Sequence, residues 1–479
     1  MGSLKNKTVN GIKWTAIEKI SVQGIQFFLG LIMARLLTPE DYGTIGMLAI
    51  FIALSQTFID SGFANALIRK IDRTEEDLCT AFYFNIIIAL VCYGALFVVA
   101  PWIADFFNTP LLCSILRIQS ISLIINSLMG VHVAKLTIDL DFKSLAKTSL
   151  YASLISGVFG VILAYCGYGI WALVAQTIFN SVITMLGVWT YCKWIPRKKF
   201  NTTSFRNLWN FGSKLLASGI LNTIYGNLTP LIIGRYFSAK DLGVYSRGTH
   251  LASYPANITN DILGKVTFPI LSKIQNDDDH LISAYRKYIS VSSIFIFFGC
   301  ILLCSLARPI VLAVLTAKWE DCIIYLQIYC FSIMFDHICR INLNLLQVKG
   351  RSDLFFRLEV IKKTISFAIL IASIPFGVIG ICISKVIYSQ IAVFINTYYT
   401  GKLFNLGYVE QLRDFSKYFF IAIIACIPSF CLSYLPINIY LTILVGGAIS
   451  IFAYYFLLRK NAYMIEISNI VLKRIHKIC

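Results

Sequence analysis

Arg247, His250, Tyr254, Asn257, Asp261 and Lys265 recur at steps of three and four residues, the spacing that keeps side chains on one face of an α-helix. At about 1.5 Å per residue this stripe runs for about 27 Å. Its chemistry is that of holding a charged group: guanidinium and ammonium donors grip phosphate or carboxylate oxygens. Imidazole beside carboxylate adds a route for a proton. Pro255 falls within the stripe and permits a bend. A second stripe comprises Ser332, Asp336, Arg340, Asn344 and Gln347, with His337 alongside. Glu18, Lys19, Arg117, Gln119 and Asn126 add polar groups in other apolar stretches. These residues read either as the lining of a hydrated, net-basic cavity or, for the pairs Asp336–Arg340 and Asp261–Lys265, as i,i+4 ion pairs that lock helices. His250 and His337, with Asp261 or Asp336 as partner, suit proton coupling; the alternative is a hydrogen-bonded packing histidine.

Bond-breaking chemistry is not suggested. Glu320 and Asp321 are adjacent, which fits a helix start better than acid/base catalysis. There is no G-x-x-x-x-G-K-[ST] loop for ATP, and the fourteen cysteines are scattered with no C-x-x-C. No metal or cofactor is expected.

The elements that must position these groups follow from composition. Of 479 residues, 57% are apolar and 14% charged, against about 45–50% and about 25% in an ordinary soluble protein. Fourteen stretches are long and apolar enough to cross a bilayer: 12–37, 43–65, 79–105, 111–134, 146–166, 169–191, 209–233, 243–270, 287–306, 322–347, 354–374, 378–400, 415–434 and 437–458. The connections are short, so no loop can hold a catalytic domain. Continuous rather than alternating runs exclude a β-barrel.

The formal charge of +18 suggests nucleic acid until the charges are placed. Of 42 Lys and Arg residues, 28 lie in the N-terminus, the even-numbered connections and the C-terminal tail, and five in the odd-numbered connections. Basic residues are retained on the cytoplasmic side, so both termini are expected there. Contact with anionic membrane lipids accompanies that arrangement, and no nucleic-acid partner is expected. The other nine basic residues lie at membrane depth; of these, Lys214 and Lys385 are expected to snorkel, and Lys362 and Lys363 to snorkel or pack at the inner surface.

An internal repeat organises the spans. Arg35-Leu-Leu-Thr38-Pro-Glu-Asp41-Tyr-Gly43 and Arg235-Tyr-Phe-Ser238-Ala-Lys-Asp241-Leu-Gly243 both fit R-x-x-[ST]-x-x-D-x-G, 200 residues apart. Thr38 and Ser238 are placed to cap the following helix with Asp41 or Asp241 at the third position. Arg35 and Arg235 could pair with those carboxylates. The expected fold is an all-α polytopic membrane protein with about fourteen transmembrane helices. Two six-helix lobes in parallel repeat, 1–200 and 201–406, precede two further helices in 407–458 and a basic cytoplasmic tail in 459–479.

Several stretches carry a resemblance: Ala34 to Gly43, Ile59 to Arg69, Thr74 to Asn85, Phe211 to Asn222, and Ile233 to Arg247 followed by Phe268-Pro-Ile-Leu-Ser-Lys-Ile. Together they resemble the polysaccharide transporter family of the multidrug/oligosaccharidyl-lipid/polysaccharide (MOP) superfamily, within it the Wzx-type exporters. The resemblance spans about residues 8–400. It implies a flippase, not an enzyme, with two lobes around a cavity that opens alternately to either side. The implied cargo is an undecaprenyl-pyrophosphate-linked oligosaccharide repeat unit of the lipopolysaccharide, O-antigen, exopolysaccharide or capsule type. It would be moved from the inner to the outer leaflet of a bacterial inner membrane. Glycosyltransferases and a glycan polymerase of the same pathway are the implied partners. The alternatives are a drug/cation antiporter of the same superfamily, whose cavity should be acidic where this one is basic, and a membrane glycan polymerase or ligase, which should carry a larger outer loop than any here.

Overall fold

The computed structural model describes residues 2–60, 62–466 and 469, and of residues 2–13, 16, 20, 257–266, 268 and 269 the backbone alone. The side chains of Asn257, Asp261 and Lys265, and nearly all of the tail beyond residue 466, therefore lie outside the described residues. Among the described residues there are nineteen α-helices, two single 3-10 turns and no strand. The helical membrane class is thus borne out.

Contacts gather the chain into two compact units, Met1–Gly243 and Val244–Cys479. The first holds α1 (Gly2–Leu36), α2 (Pro39–Asp60), α3 (Phe63–Arg69), α4 (Glu75–Phe106) and α5 (Leu111–Gln119). It continues with α6 (Ile121–Ser127), α7 (Gly130–Ile138), α8 (Phe142–Tyr165), α9 (Ile170–Cys192) and α10 (Thr202–Tyr236). The boundary falls within α11 (Ala239–Lys273). The second unit continues with α12 (Asp278–Ser305), α13 (Ala307–Val314), α14 (Cys322–Ile333) and α15 (Asp336–Val348), and then α16 (Ser352–Ser373), α17 (Gly377–Phe404), α18 (Tyr408–Leu432) and α19 (Ile439–Leu458). Twelve segments of described residues are long and apolar enough to cross a membrane, the longest being Ser352–Phe404, which contains both α16 and α17.

Local chemistry explains the helix starts. Thr74 accepts from the Asp77 amide while Asp77 accepts from the Thr74 amide, a capping box that opens α4. Asn201, Asp141, Asp277 and Asn438 cap α10, α8, α12 and α19 through side-chain oxygens. Three expected spans stand among these twelve segments but contain a break in the helix. The second stops at Asp60, because Gly62 adopts a left-handed conformation (φ 71°) and lies so near α10 that a methyl group there would be 2.8 Å from the Gly212 carbonyl oxygen. The fourth divides into α5, α6 and α7; Ser120, Ser122 and Ser127 each donate to a carbonyl three or four residues back, competing with the helical ladder. The tenth divides at Met334–Phe335.

In the first unit, Phe63, Leu67, Phe82, Val131, Trp194 and Leu208 form a core joining α3, α4, α7 and α10. His132 is fully buried there, stacked on Trp189 at 4.6 Å, with Nε2 3.1 Å from the Trp194 carbonyl oxygen. In the second unit, Asn342 accepts from Thr400 (2.8 Å) and its amide donates to Gln411 (2.9 Å), so a closed polar knot joins α15, α17 and α18. Full mutual satisfaction makes such a buried knot tolerable in an apolar setting.

Candidate functional site

In the second unit, α11 lies flush on α14: a methyl group on Gly248 would be 2.8 Å from the Cys322 carbonyl oxygen. That contact buries Leu251, Ala252 and Ala256 and leaves Arg247 half-buried and His250 exposed on the flank. The Arg247 guanidinium stands 5.9 Å from the ring centre of Trp319, itself fully buried. His250 meets the Tyr254 ring edge-to-face at 5.2 Å. A cation within about 6 Å of an indole ring centre is attracted by the face of the ring.

Helix α15 is divided more sharply. Asp336, Arg340 and Gln347 are exposed on one side, and His337, Ile338, Ile341, Asn342 and Leu345 are buried on the other. Asp336 and Arg340 sit one turn apart, yet among the described residues no ion pair joins them. Lys362, only 6% exposed, pairs with Glu359 at 2.5 Å, and Ser332 donates to the Lys385 carbonyl at 3.1 Å. Helix α15 thus presents Asp336 and Arg340, and α16 the Glu359–Lys362 pair, within apolar segments. Exposed charge at that depth must face water or protein, since facing lipid costs several kcal/mol per group. His337 points away from this face and its Nε2 lies 2.9 Å from Ser293 Oγ on α12.

In the first unit the polar residues are spread out. Glu18 accepts from Ser149 Oγ at 2.7 Å, joining α1 to α8, and Lys19 is exposed. Arg117 is held against α4: Nε donates to the Phe97 carbonyl at 3.2 Å and the guanidinium lies 4.2 Å from the Phe97 ring centre. That carbonyl is free because Pro101, four residues on, has no N–H to give it. Arg117 therefore satisfies an acceptor that the proline orphans. Gln119 is buried. A polar chain also runs from Asn126 Nδ2 to Gln56 Oε1 (3.1 Å) and from Gln56 Nε2 to Asp60 Oδ1 (2.9 Å). Beside it the hydroxyls of Thr57 and Thr223 are 2.9 Å apart.

The two copies of the repeated motif have the same local form. Asp41 Oδ2 accepts from the Thr38 amide and hydroxyl, both at 2.9 Å; Asp241 Oδ2 accepts from the Ser238 amide at 3.0 Å and hydroxyl at 2.6 Å. Arg235 turns elsewhere, donating to the Phe106 carbonyl with its guanidinium 4.6 Å from the Phe106 ring centre. Among the described residues no ion pair joins it to Asp241. The motif glycines meet reciprocally. A methyl group on Gly43 would lie 1.7 Å from the Ala239 carbonyl oxygen, and one on Gly243 would lie 1.9 Å from the Pro39 carbonyl oxygen. Only glycine allows these helix starts to cross so closely.

Residues 32–324 match the sequence pattern of a family described as polysaccharide biosynthesis protein. The chain belongs to that family. It is 27% identical over 382 residues to the lipopolysaccharide biosynthesis protein WzxC of Escherichia coli (strain K12), covering 79% of this chain and 78% of the relative. It is 26% identical over 317 residues to the succinoglycan biosynthesis transport protein ExoT of Rhizobium meliloti (strain 1021), covering 65% and 64%. The fold resembles that of a solved structure described as lipid II flippase MurJ, inward closed conformation, with a TM-score of 0.72 at 16% identity, covering 94% of this chain and 99% of that one. The family resemblance carried by the sequence motifs is borne out by this family match.

Several polar groups of this polysaccharide biosynthesis protein escaped the sequence reading. Gln56 and Asp60 stand at i,i+4 on one helix, a legible signal, but Gln56 carries no charge and Asp60 lies at the end of its span. The Glu359–Lys362 pair has helical spacing too. The role of Arg117 was signalled by Pro101, because a proline inside a helix always leaves the carbonyl four residues back in need of a donor.

Proposed function

We propose that the chain is a flippase for lipid-linked oligosaccharide. It would move undecaprenyl-pyrophosphate-linked repeat units from the inner to the outer leaflet of a bacterial inner membrane by alternating access. The observation that carries this reading is the exposed charged face of α15, with Asp336 and Arg340 unpaired with each other at membrane depth. A pyrophosphate crossing an apolar layer needs cationic donors that no internal carboxylate has already claimed. Arg340 supplies such a donor, and Arg247 on α11 and Lys265 further along it extend the surface; Asp336, His250 and Asn257 contribute hydrogen bonds, and His250 or Asp261 takes up a coupling proton. Glu18, Lys19 and Arg117 line the other lobe, Arg117 while satisfying the Phe97 carbonyl. A net-basic lining argues against a cationic cargo.

The same reading has fourteen crossings with both ends cytoplasmic, arranged as lobes 1–200 and 201–406, two further helices in 407–458 and a basic tail. Support comes from the alternation of loop charge, from the division of Ser352–Phe404 into α16 and α17, and from α11, which is 35 residues long but is not among the twelve apolar segments.

The test is transport in proteoliposomes carrying a fluorescent undecaprenyl-pyrophosphate oligosaccharide, read as protection from an impermeant quencher. The intact protein should equilibrate the lipid, and Arg340→Ala or Arg247→Ala should slow it about tenfold or more, the loss of one charge-assisted contact. Wild-type rates in both variants, with both correctly folded, would overturn the assignment of the surface.

A further inference from the structure

We propose that a groove between the start of α16 and the end of α17 is a binding site for the phosphate of an anionic membrane lipid, separate from the α15 face. The groove has a volume of about 430 Å³ and is lined by Arg351, Leu354, Arg357, Tyr398, Tyr399 and Lys402.

The charge balance points to an anion. Arg351 is already engaged by Asp353 in a two-pronged pair, with Nε–Oδ1 at 3.0 Å and Nη2–Oδ2 at 2.9 Å. Arg357 and Lys402 have no such partner: among the described residues neither makes an ion pair or hydrogen bond. Two cations on different helices, about a turn and a half in from the start of α16 and half a turn from the end of α17, converge on one concavity with nothing to neutralise them. The phenol groups of Tyr398 and Tyr399, whose rings meet edge-to-face at 5.1 Å, supply further donors. Arginine, lysine and tyrosine hydroxyl together suit a phosphate with several acceptor oxygens.

The surroundings point to a lipid. Val360, three residues deeper than Arg357 on the same flank of α16, is 48% exposed, and Phe394, a turn deeper than Tyr398 on α17, is 59% exposed. Each helix therefore offers cationic or phenolic groups at its end and an apolar surface one turn further in. That is the profile of a molecule with an anionic head and hydrocarbon tails, and tyrosine is at home at that depth. Arg351, Arg357 and Lys402, though exposed, line one and the same groove.

The test measures retention of lipid by the full-length protein, using native mass spectrometry in detergent with added phosphatidylglycerol, phosphatidylcholine or sodium pyrophosphate. Phosphatidylglycerol should bind in preference to phosphatidylcholine. In Arg357→Gln/Lys402→Gln its affinity should fall about tenfold, and in Tyr398→Phe by a smaller factor. Lys198→Gln/Lys199→Gln removes the same charge from another exposed basic loop and should change affinity less than about twofold. Equal losses in the two double variants, or none in the first, would overturn the site. Pyrophosphate binding without any preference for phosphatidylglycerol would overturn the lipid as its source.

Discussion

A methyl group is the smallest probe of the reciprocal glycine contact, and Gly43→Ala is the variant to make first. Its Cβ would begin 1.7 Å from the Ala239 carbonyl oxygen, where real Cβ atoms keep at least 3.0 Å, so the two helix starts must part by about 1.3 Å. The obstructing atoms are backbone on both sides, and no side chain can rotate to give way. Overpacking of this kind costs about 1–3 kcal/mol, and the parting also weakens Cα–H···O attractions across the crossing, worth about 0.5–1 kcal/mol. Gly243→Ala needs about 1.1 Å by the same movement and should cost a similar amount. Because one separation relieves both clashes, the double variant should cost little more than either single one, a coupling of about 1–2 kcal/mol. Thermal unfolding in detergent, followed by tryptophan fluorescence, reads all three. Gly94→Ala, whose methyl would meet nothing within 4 Å, is the control and should be neutral or slightly stabilising. A Gly43→Ala protein as stable as the control, or strictly additive losses, would refute the reciprocal contact.

Three further outcomes are expected. Arg117→Met should lower stability by about 1–3 kcal/mol by stranding the Phe97 carbonyl and removing the cation from its ring; combining it with Pro101→Ala, which restores a helical donor, should recover much of the loss in the same unfolding assay. Glu359→Leu should cost about 1–3 kcal/mol, the discount from a fully buried pair reflecting the partial exposure of Glu359. Glu359→Leu/Lys362→Met should be closer to wild type, and a purely additive cycle would rule out the pair. Gln411→Leu, which leaves Asn342 and Thr400 without their shared partner, should cost about 2–3 kcal/mol by denaturant unfolding.

The helices were largely legible because each consists of a long apolar run bounded by a cap. Thr74-Glu-Glu-Asp77 announces the start of α4, and Asn201 that of α10. The breaks were not, since they arise from packing between distant segments: Gly62 turns left-handed against Gly212, and nothing near position 62 says that α10 will be there. Of the candidate site, the stripe on α15 could be read from its period, but which of its polar residues would face inward could not. His337 follows Asp336 in sequence and faces the packed side, a distinction set by where α12 lies. Arg117 shows the opposite case. An ionisable group in an apolar run suggests cargo binding, whereas its nearest task is to answer a carbonyl left open by a proline on a neighbouring helix.

The reciprocity of the glycine contact binds the two motif copies to one another. Pro39 and Ala239, like Gly43 and Gly243, occupy equivalent places in the two motif copies, so each copy presents to the other what it receives. That is the self-complementary relation of an isologous interface. Neither glycine can therefore be replaced alone: any side chain at one position would collide with the backbone of the other motif copy, so the two positions stand or fall together.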